Sequence, residues 1–231
     1  MPEAGNQKLI ITHAVLTGLT PLIPVPVVDD LVKSYFQRRL VRQLSRAYSI
    51  NPTEQDLRSL ADDPSSGCLA GCLGGALLLP LKLIFRKLFF FLEWKRAADT
   101  VSRTFHQGYL LDYAIQTGWY PNQRTAGEAR AAIDAVCREV GTGPVERAVS
   151  LTLAQSKTTL KSAAHLLRQS LRSIRGRPDS ERVALAAESV EAEEKAKIEG
   201  VISRLQNSIQ AIPKEYFDDL RARLASRFGI S

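Results

Sequence analysis

Residues 64–96 read PSSGCLAGCLGGALLLPLKLIFRKLFFFLEWKR, and no side chain from Pro64 to Leu81 carries a formal charge. The run opens on small residues (Gly67, Ala70, Gly71, Gly74, Gly75, Ala76), which let helices approach closely, in lipid or in a tight bundle. Pro80 predicts a kink. Further on, Leu88-Phe89-Phe90-Phe91-Leu92 covers more than a full helical turn, so that turn has no polar side and is either buried all round or in contact with lipid. Lys82, Arg86, Lys87, Trp94, Lys95 and Arg96 flank it. Such cations snorkel to a headgroup boundary, and an indole sits there by its amphipathic ring. Two readings stand: membrane contact through Lys82, Arg86 to Phe91, Trp94, Lys95 and Arg96, or a central core helix with solvated charges at its ends. A charge-free run of about 18 residues is short for a bilayer span.

Downstream, the periodicity predicts a helix over 97–117 with Ala98, Val101, Phe105, Gly108, Asp112 and Ile115 on one face. Asp112 is thus a buried acid in an apolar stripe, which needs a partner or a raised pKa, and a structural salt bridge to an arginine is the expected answer. Trp119-Tyr120-Pro121-Asn122 predicts a turn. Upstream, a helix over 30–48 carries Val32, Phe36, Leu40, Leu44 and Ala47 on one stripe and Lys33, Arg38, Arg39, Arg42 and Arg46 mostly elsewhere. A short helix follows, capped by Thr53 or Asn51, with Asp56 near its positive end. Leu9 to Val28 is free of formal charge, but His13 and the threonines are polar, and Pro21, Pro24 and Pro26 interrupt any continuous helix. A helix to about residue 20, then an extended Pro-rich turn, is expected, with Asp29 or Asp30 capping the next helix.

From Ala126 onward the prolines are Pro144, Pro178 and Pro213, which divide the region into helices near 126–140, 145–176, 179–211 and 213–228. Leu153, Leu160, Ala164, Leu167, Leu171 and Ile174 form one seam; Val183, Ala187, Val190, Ile198, Val201, Leu205, Ile209 and Ile212 form its counterpart. Together they predict a long antiparallel αα-hairpin. A basic stripe (Lys157, Lys161, Arg168, Arg172, Arg175) on one arm and acids (Glu188, Glu191, Glu193, Glu194, Glu199) on the other suggest pairing between the arms.

The chain of 231 residues is 45% hydrophobic and 24% charged, with net charge +7, so it is not disordered by composition and favours an anionic partner. Neither a phosphate-binding glycine loop nor a dinucleotide fingerprint is present. Cys68 and Cys72 share a helical face without a nearby histidine, too few ligands for zinc, and Cys137 stands apart. His13, His106 and His165 lie in separate segments, with no Ser, Cys or carboxylate at a useful spacing. An aromatic platform for nucleic acid is missing. The expectation is a protein that is not an enzyme, with no metal, no cofactor and no nucleic-acid partner.

Residues from about Ala14 to Thr117 resemble a hydrophobic helical domain of unknown function associated with bacterial small GTPases and inner-membrane proteins. The shared features are Pro24-Val25-Pro26-Val27-Val28-Asp29, the Ala47-Tyr48 helix ending, Gly74-Gly75 with Leu79-Pro80-Leu81-Lys82, and Ala98, Thr100, Thr104, Gly108 and Tyr113. Ser49 stands where that family tends to have Gly, and the chain has no GTPase domain. The resemblance implies an α-helical, membrane-associated accessory module. The combined expectation is an all-α protein: a compact apolar membrane-associating unit over 1–121, then an elongated helical docking hairpin over 126–231. It would sit on the cytoplasmic face of a membrane, peripheral or partly inserted, with phospholipid, a protein such as a GTPase, or further copies of itself as partners. The rival is a soluble helical oligomer, or a carrier that binds an apolar ligand between its helices.

Overall fold

Helix α1 (Ala4–Gly18) leads into a 3-10 turn (Thr20–Leu22), and α2 (Pro26–Ala47) follows. The computed structural model describes residues 4–22, 26–62, 86–140, 143–174 and 179–229; Pro24, Lys82, Cys68, Cys72 and the charge-free run 64–81 lie outside the described residues. Most of the uncharged stretch after Lys8 is core, since Ile10, Ile11, Ala14, Val15, Leu16 and Leu19 are all buried. Among the described residues no helix is long and apolar enough to cross a membrane.

Two expectations change at α2. It starts at Pro26, four residues ahead of the predicted start. Proline suits the first helical position because its missing N–H would have had no intrahelical acceptor there. Asp29 and Asp30 therefore lie within the opening of the helix, beyond the cap position. Val32, Phe36, Leu40 and Leu44 are buried as the stripe predicts, while Ala47 is exposed. Short α3 (Glu54–Ala61) has Thr53 as its cap in a reciprocal box with Asp56: each side chain meets the other residue's backbone N–H.

The apolar block and the helix expected after it are one element, α4 (Arg86–Gln116), of 31 residues. Its predicted face is buried, with Ala98, Val101, Phe105, Asp112 and Ile115 at 5% exposure or less. The side chains of Arg86, Lys87, Leu88, Phe89, Phe90 and Phe91 lie outside the described residues. Trp94 is buried, and Lys157 Nζ of α7 stands 5.9 Å from its ring centroid. Lys95 and Arg96 are exposed, and Leu92 is 43% exposed.

The second half comprises α5 (Ala126–Val140), α6 (Gly143–Gln155), α7 (Lys157–Ser173), α8 (Asp179–Glu193), α9 (Lys195–Gln210) and α10 (Lys214–Arg227), so all ten described helices belong to an all-α fold. Both seams are buried as expected, apart from half-buried Ile174. Each predicted long helix is broken once, at Ser156 (φ −110°, ψ 14°) and at Glu194 (φ −105°, ψ 9°). α6 packs on α9, and α7 on α8. The breaks are stitched across: Arg204 Nη2 donates to Ser156 Oγ at 3.0 Å, and Ser162 Oγ donates to Glu194 Oε1 at 3.0 Å.

The halves pack into each other. α4 runs against α1, α5 and α6, while α9 lies on α1 and α8 on α2. One cluster of buried apolar side chains runs from Ile10 to Phe228, across the expected boundary near 121–126. α1 meets α4 closely: a Cβ on Gly18 would lie 2.2 Å from Val101 Cγ2, and one on Gly108 would lie 2.9 Å from Ile10 Cγ2.

Candidate functional site

Helix α1 has a second working face. Gly5, Lys8, Leu9, Thr12, His13 and Leu16 recur at helical spacing and turn away from α4 toward a cleft. Arg39 and Gln43, one turn apart on α2, form one wall. Glu188 and Ala192 of α8, with Ile198, Glu199 and Ile202 of α9, form the other. Because the chain departs from helix at Glu194, residues on both sides of the break reach the same space. The cleft has a volume of about 700 Å³, within the range of roughly 300–1,000 Å³ typical of small-molecule sites.

Its floor is apolar, made by Leu9, Leu16, Ile198 and Ile202, and its described charges balance: Lys8 and Arg39 against Glu188 and Glu199. Glu188 and Glu199 thus look toward α1 and α2, whereas the charge pattern placed them opposite the basic stripe of the other arm.

His13 is 3% exposed, and its Nδ1 lies 3.0 Å from the Leu9 carbonyl oxygen. A carbonyl only accepts, so Nδ1 carries the hydrogen and Nε2 presents its lone pair. Nε2 is buried with no hydrogen-bond partner. Burial is the main reason the His13 pKa falls to about 4; the Leu9 hydrogen bond opposes this, and the Arg39 charge adds to it. At neutral pH the ring is therefore an uncharged acceptor beside an apolar floor. Leaving such an acceptor unmet costs about 1–3 kcal/mol.

Other candidate groups are satisfied elsewhere. Asp112, 1% exposed, accepts hydrogen bonds from Asn6 Nδ2 at 2.7 Å and from the Tyr48 hydroxyl at 3.0 Å, which ties α4 to α1 and to the end of α2. Neutral donors from distant segments thus make these two contacts with the acid. His106 donates from Nδ1 to the Ser102 carbonyl at 2.6 Å and accepts at Nε2 from the Tyr216 hydroxyl at 2.5 Å. Burial lowers the His106 pKa and raises the Tyr216 phenol to about 12. This pair is locked in the core. Burial likewise pushes the Cys137 thiol to about 12, so it is no ready nucleophile. Asp99 is raised, first by burial and then by Glu146 across the α4–α6 contact, but neither lines the cleft. Among the described residues no group of His, Cys, Asp or Glu could hold a metal ion.

A second groove, more polar, runs between α2 and α8 past Arg38, Arg42 and Arg46. Arg38 is tied to Asp62, with its Nε 2.9 Å from Oδ1, and Arg42 Nη2 lies 2.8 Å from Glu54 Oε1. Burial would raise Asp62, yet the hydrogen bonds from Arg38 and Ser34 outweigh it and hold that carboxyl below its ordinary value. With Arg38 and Arg42 engaged, the groove is a poorer anion site than the arginine count suggests.

The sequence reading treated His13 as an isolated polar residue. The signal available was the spacing of Gly5, Lys8, Thr12 and His13, which places polar and small side chains on one face of an apolar helix. No family model, curated protein or solved structure matches the chain.

Proposed function

We propose that this protein is a non-enzymatic helical module that binds an apolar ligand between its helices, in the cleft bounded by α1, α2, α8 and α9. The supporting observation is the cleft itself: about 700 Å³, lined by Leu9, Leu16, Ile198 and Ile202 together with the buried, uncharged ring of His13. Displacement of the neutral fluorophore 1-aminoanthracene by alkyl methyl ethers, from hexyl to dodecyl, tests the proposal. Each added methylene should tighten binding by about fourfold until the floor is covered, as expected from ~0.8 kcal/mol per buried CH₂. Ile202→Trp, which fills the cleft with an indole, should abolish displacement. No displacement, or affinity independent of chain length, would overturn the proposal.

A membrane-surface role is the second reading. What favours it is the exposed Leu92 beside exposed Lys95 and Arg96 in the first turns of α4. An apolar side chain between cations matches the boundary arrangement expected for the 82–96 block. The resemblance of residues 14–117 adds a GTPase as a candidate partner for that surface. The two readings are compatible, since a ligand taken from a bilayer would enter a cleft held near the membrane.

A further inference from the structure

We infer that the ligand of this cleft is a single-chain aliphatic acid bound as its anion, with its alkyl chain in the cleft and its carboxylate in the neighbouring groove between α2 and α8; this rests on the ligand-binding reading above.

The two depressions adjoin. Arg39 and Gln43 of α2 and Glu188 of α8 line both, so these three side chains form the saddle between them. The chemistry differs on its two sides. The cleft, about 700 Å³, is floored by Leu9, Leu16, Ile198 and Ile202, whereas the groove, about 460 Å³, runs past Arg38, Arg42 and Arg46. A molecule lying across the saddle is therefore matched by an apolar tail at one end and a polar head at the other.

Charge sets the sign of that head. In the cleft the described charges cancel, Lys8 and Arg39 against Glu188 and Glu199. In the groove Arg38, Arg39, Arg42 and Arg46 face Glu54 and Glu188, with Asp62 taken up by Arg38. One positive charge is left over among these groups, which suits a monoanion. Arg46 is exposed and, among the described residues, forms no ion pair, so it is the cation open to a ligand. Glu188 at the saddle repels a carboxylate, which places the head beyond it, on the side of Arg42 and Arg46.

The spacing suits the head group as well. Arg42 and Arg46, four apart, lie one above the other on α2. Arg42 gives Nη2 to Glu54 at 2.8 Å, which holds the side chain in place. A guanidinium has five N–H donors in a planar fork, so donors remain for a carboxylate, whose geometry the fork matches. Because these arginines are open to water, the gain over a neutral head is modest and is screened by salt.

The test compares decanoate, decyl methyl ether and decylammonium on the full chain at neutral pH, by displacement of 1-aminoanthracene. The three share an alkyl chain and differ in the charge of the head. Decanoate should bind about fivefold more tightly than the ether, the upper end for an exposed ion pair, and decylammonium less tightly than either. Raising the salt concentration should narrow the gap between decanoate and the ether. Arg46→Gln should remove the preference for decanoate and leave binding of the ether unchanged. Arg172→Gln takes the same charge from the exposed side of α7 and should keep that preference, which separates a local contact from net charge. Equal affinity of decanoate and ether, a preference that survives Arg46→Gln, or an equal loss in Arg172→Gln overturns the carboxylate assignment while leaving the cleft. Failure of all three ligands to bind overturns the cleft as a ligand site.

Discussion

Ser49 shows how much one residue can reveal. It follows α2 with φ +59°, in the left-handed region, and its N–H reaches the Arg46 carbonyl at 3.0 Å. A side chain is strained in that conformation, and glycine is the usual residue after a helix end for this reason. The resemblance marked this position as the one where glycine was to be expected. Ser49→Gly should therefore stabilise the protein by about 0.5–1 kcal/mol, read as a higher urea midpoint with an unchanged slope. A lower midpoint would mean that the serine side chain contributes more than the strain costs. Asp112 was legible as a buried acid from its neighbours on the stripe. Its partners were not, because Asn6 lies 106 positions away and nothing local in the sequence joins the two.

At the scale of elements, periodicity placed most helices correctly, since the seams of α7, α8 and α9 are dense and regular. The breaks at Ser156 and Glu194 were illegible for a physical reason: neither residue is a helix breaker, and the bends are held by Arg204 and Ser162 from the facing arm. The α1–α4 contact is set by Gly18 and Gly108, where side chains of the other helices occupy the place of a Cβ. Gly108→Ala should push against Ile10 and against Leu40 Cδ2, 3.2 Å from the added carbon. It should cost about 1–3 kcal/mol, measured by urea denaturation, despite alanine's better helix propensity. A gain in stability would show that the two helices can separate without loss.

For the whole molecule, acid should be destabilising through the buried histidines. The folded-state pKa of His13 is about 4 against 6.5 unfolded, and His106 is lowered in the same direction. Above about pH 6.5 both states hold the ring neutral and no linkage arises. Between 6.5 and 4 the unfolded chain takes up a proton that the folded chain refuses, so stability falls as pH falls. His13 alone accounts for a loss on the order of 3 kcal/mol across that window. Urea midpoints measured from pH 7 down to pH 4.5 should decline, and less steeply in His13→Phe; a flat profile would contradict the burial of these rings.

The all-α class was legible from the start, because apolar residues recur at helical spacing along most of the chain. The cleft was not. Four helices from both halves supply it, its polar wall is made of charges that looked like a partner for the opposite arm, and its lining on α1 lies in a stretch that reads as plain core. Photolabelling the full chain with a diazirine-bearing decyl methyl ether, followed by peptide mapping, tests the cleft most directly. Adducts should concentrate in the stretches 9–16 of α1 and 198–202 of α9 and be competed away by unlabelled decyl methyl ether. Adducts confined to residues 86–96, or scattered without competition, would contradict a ligand site between these helices.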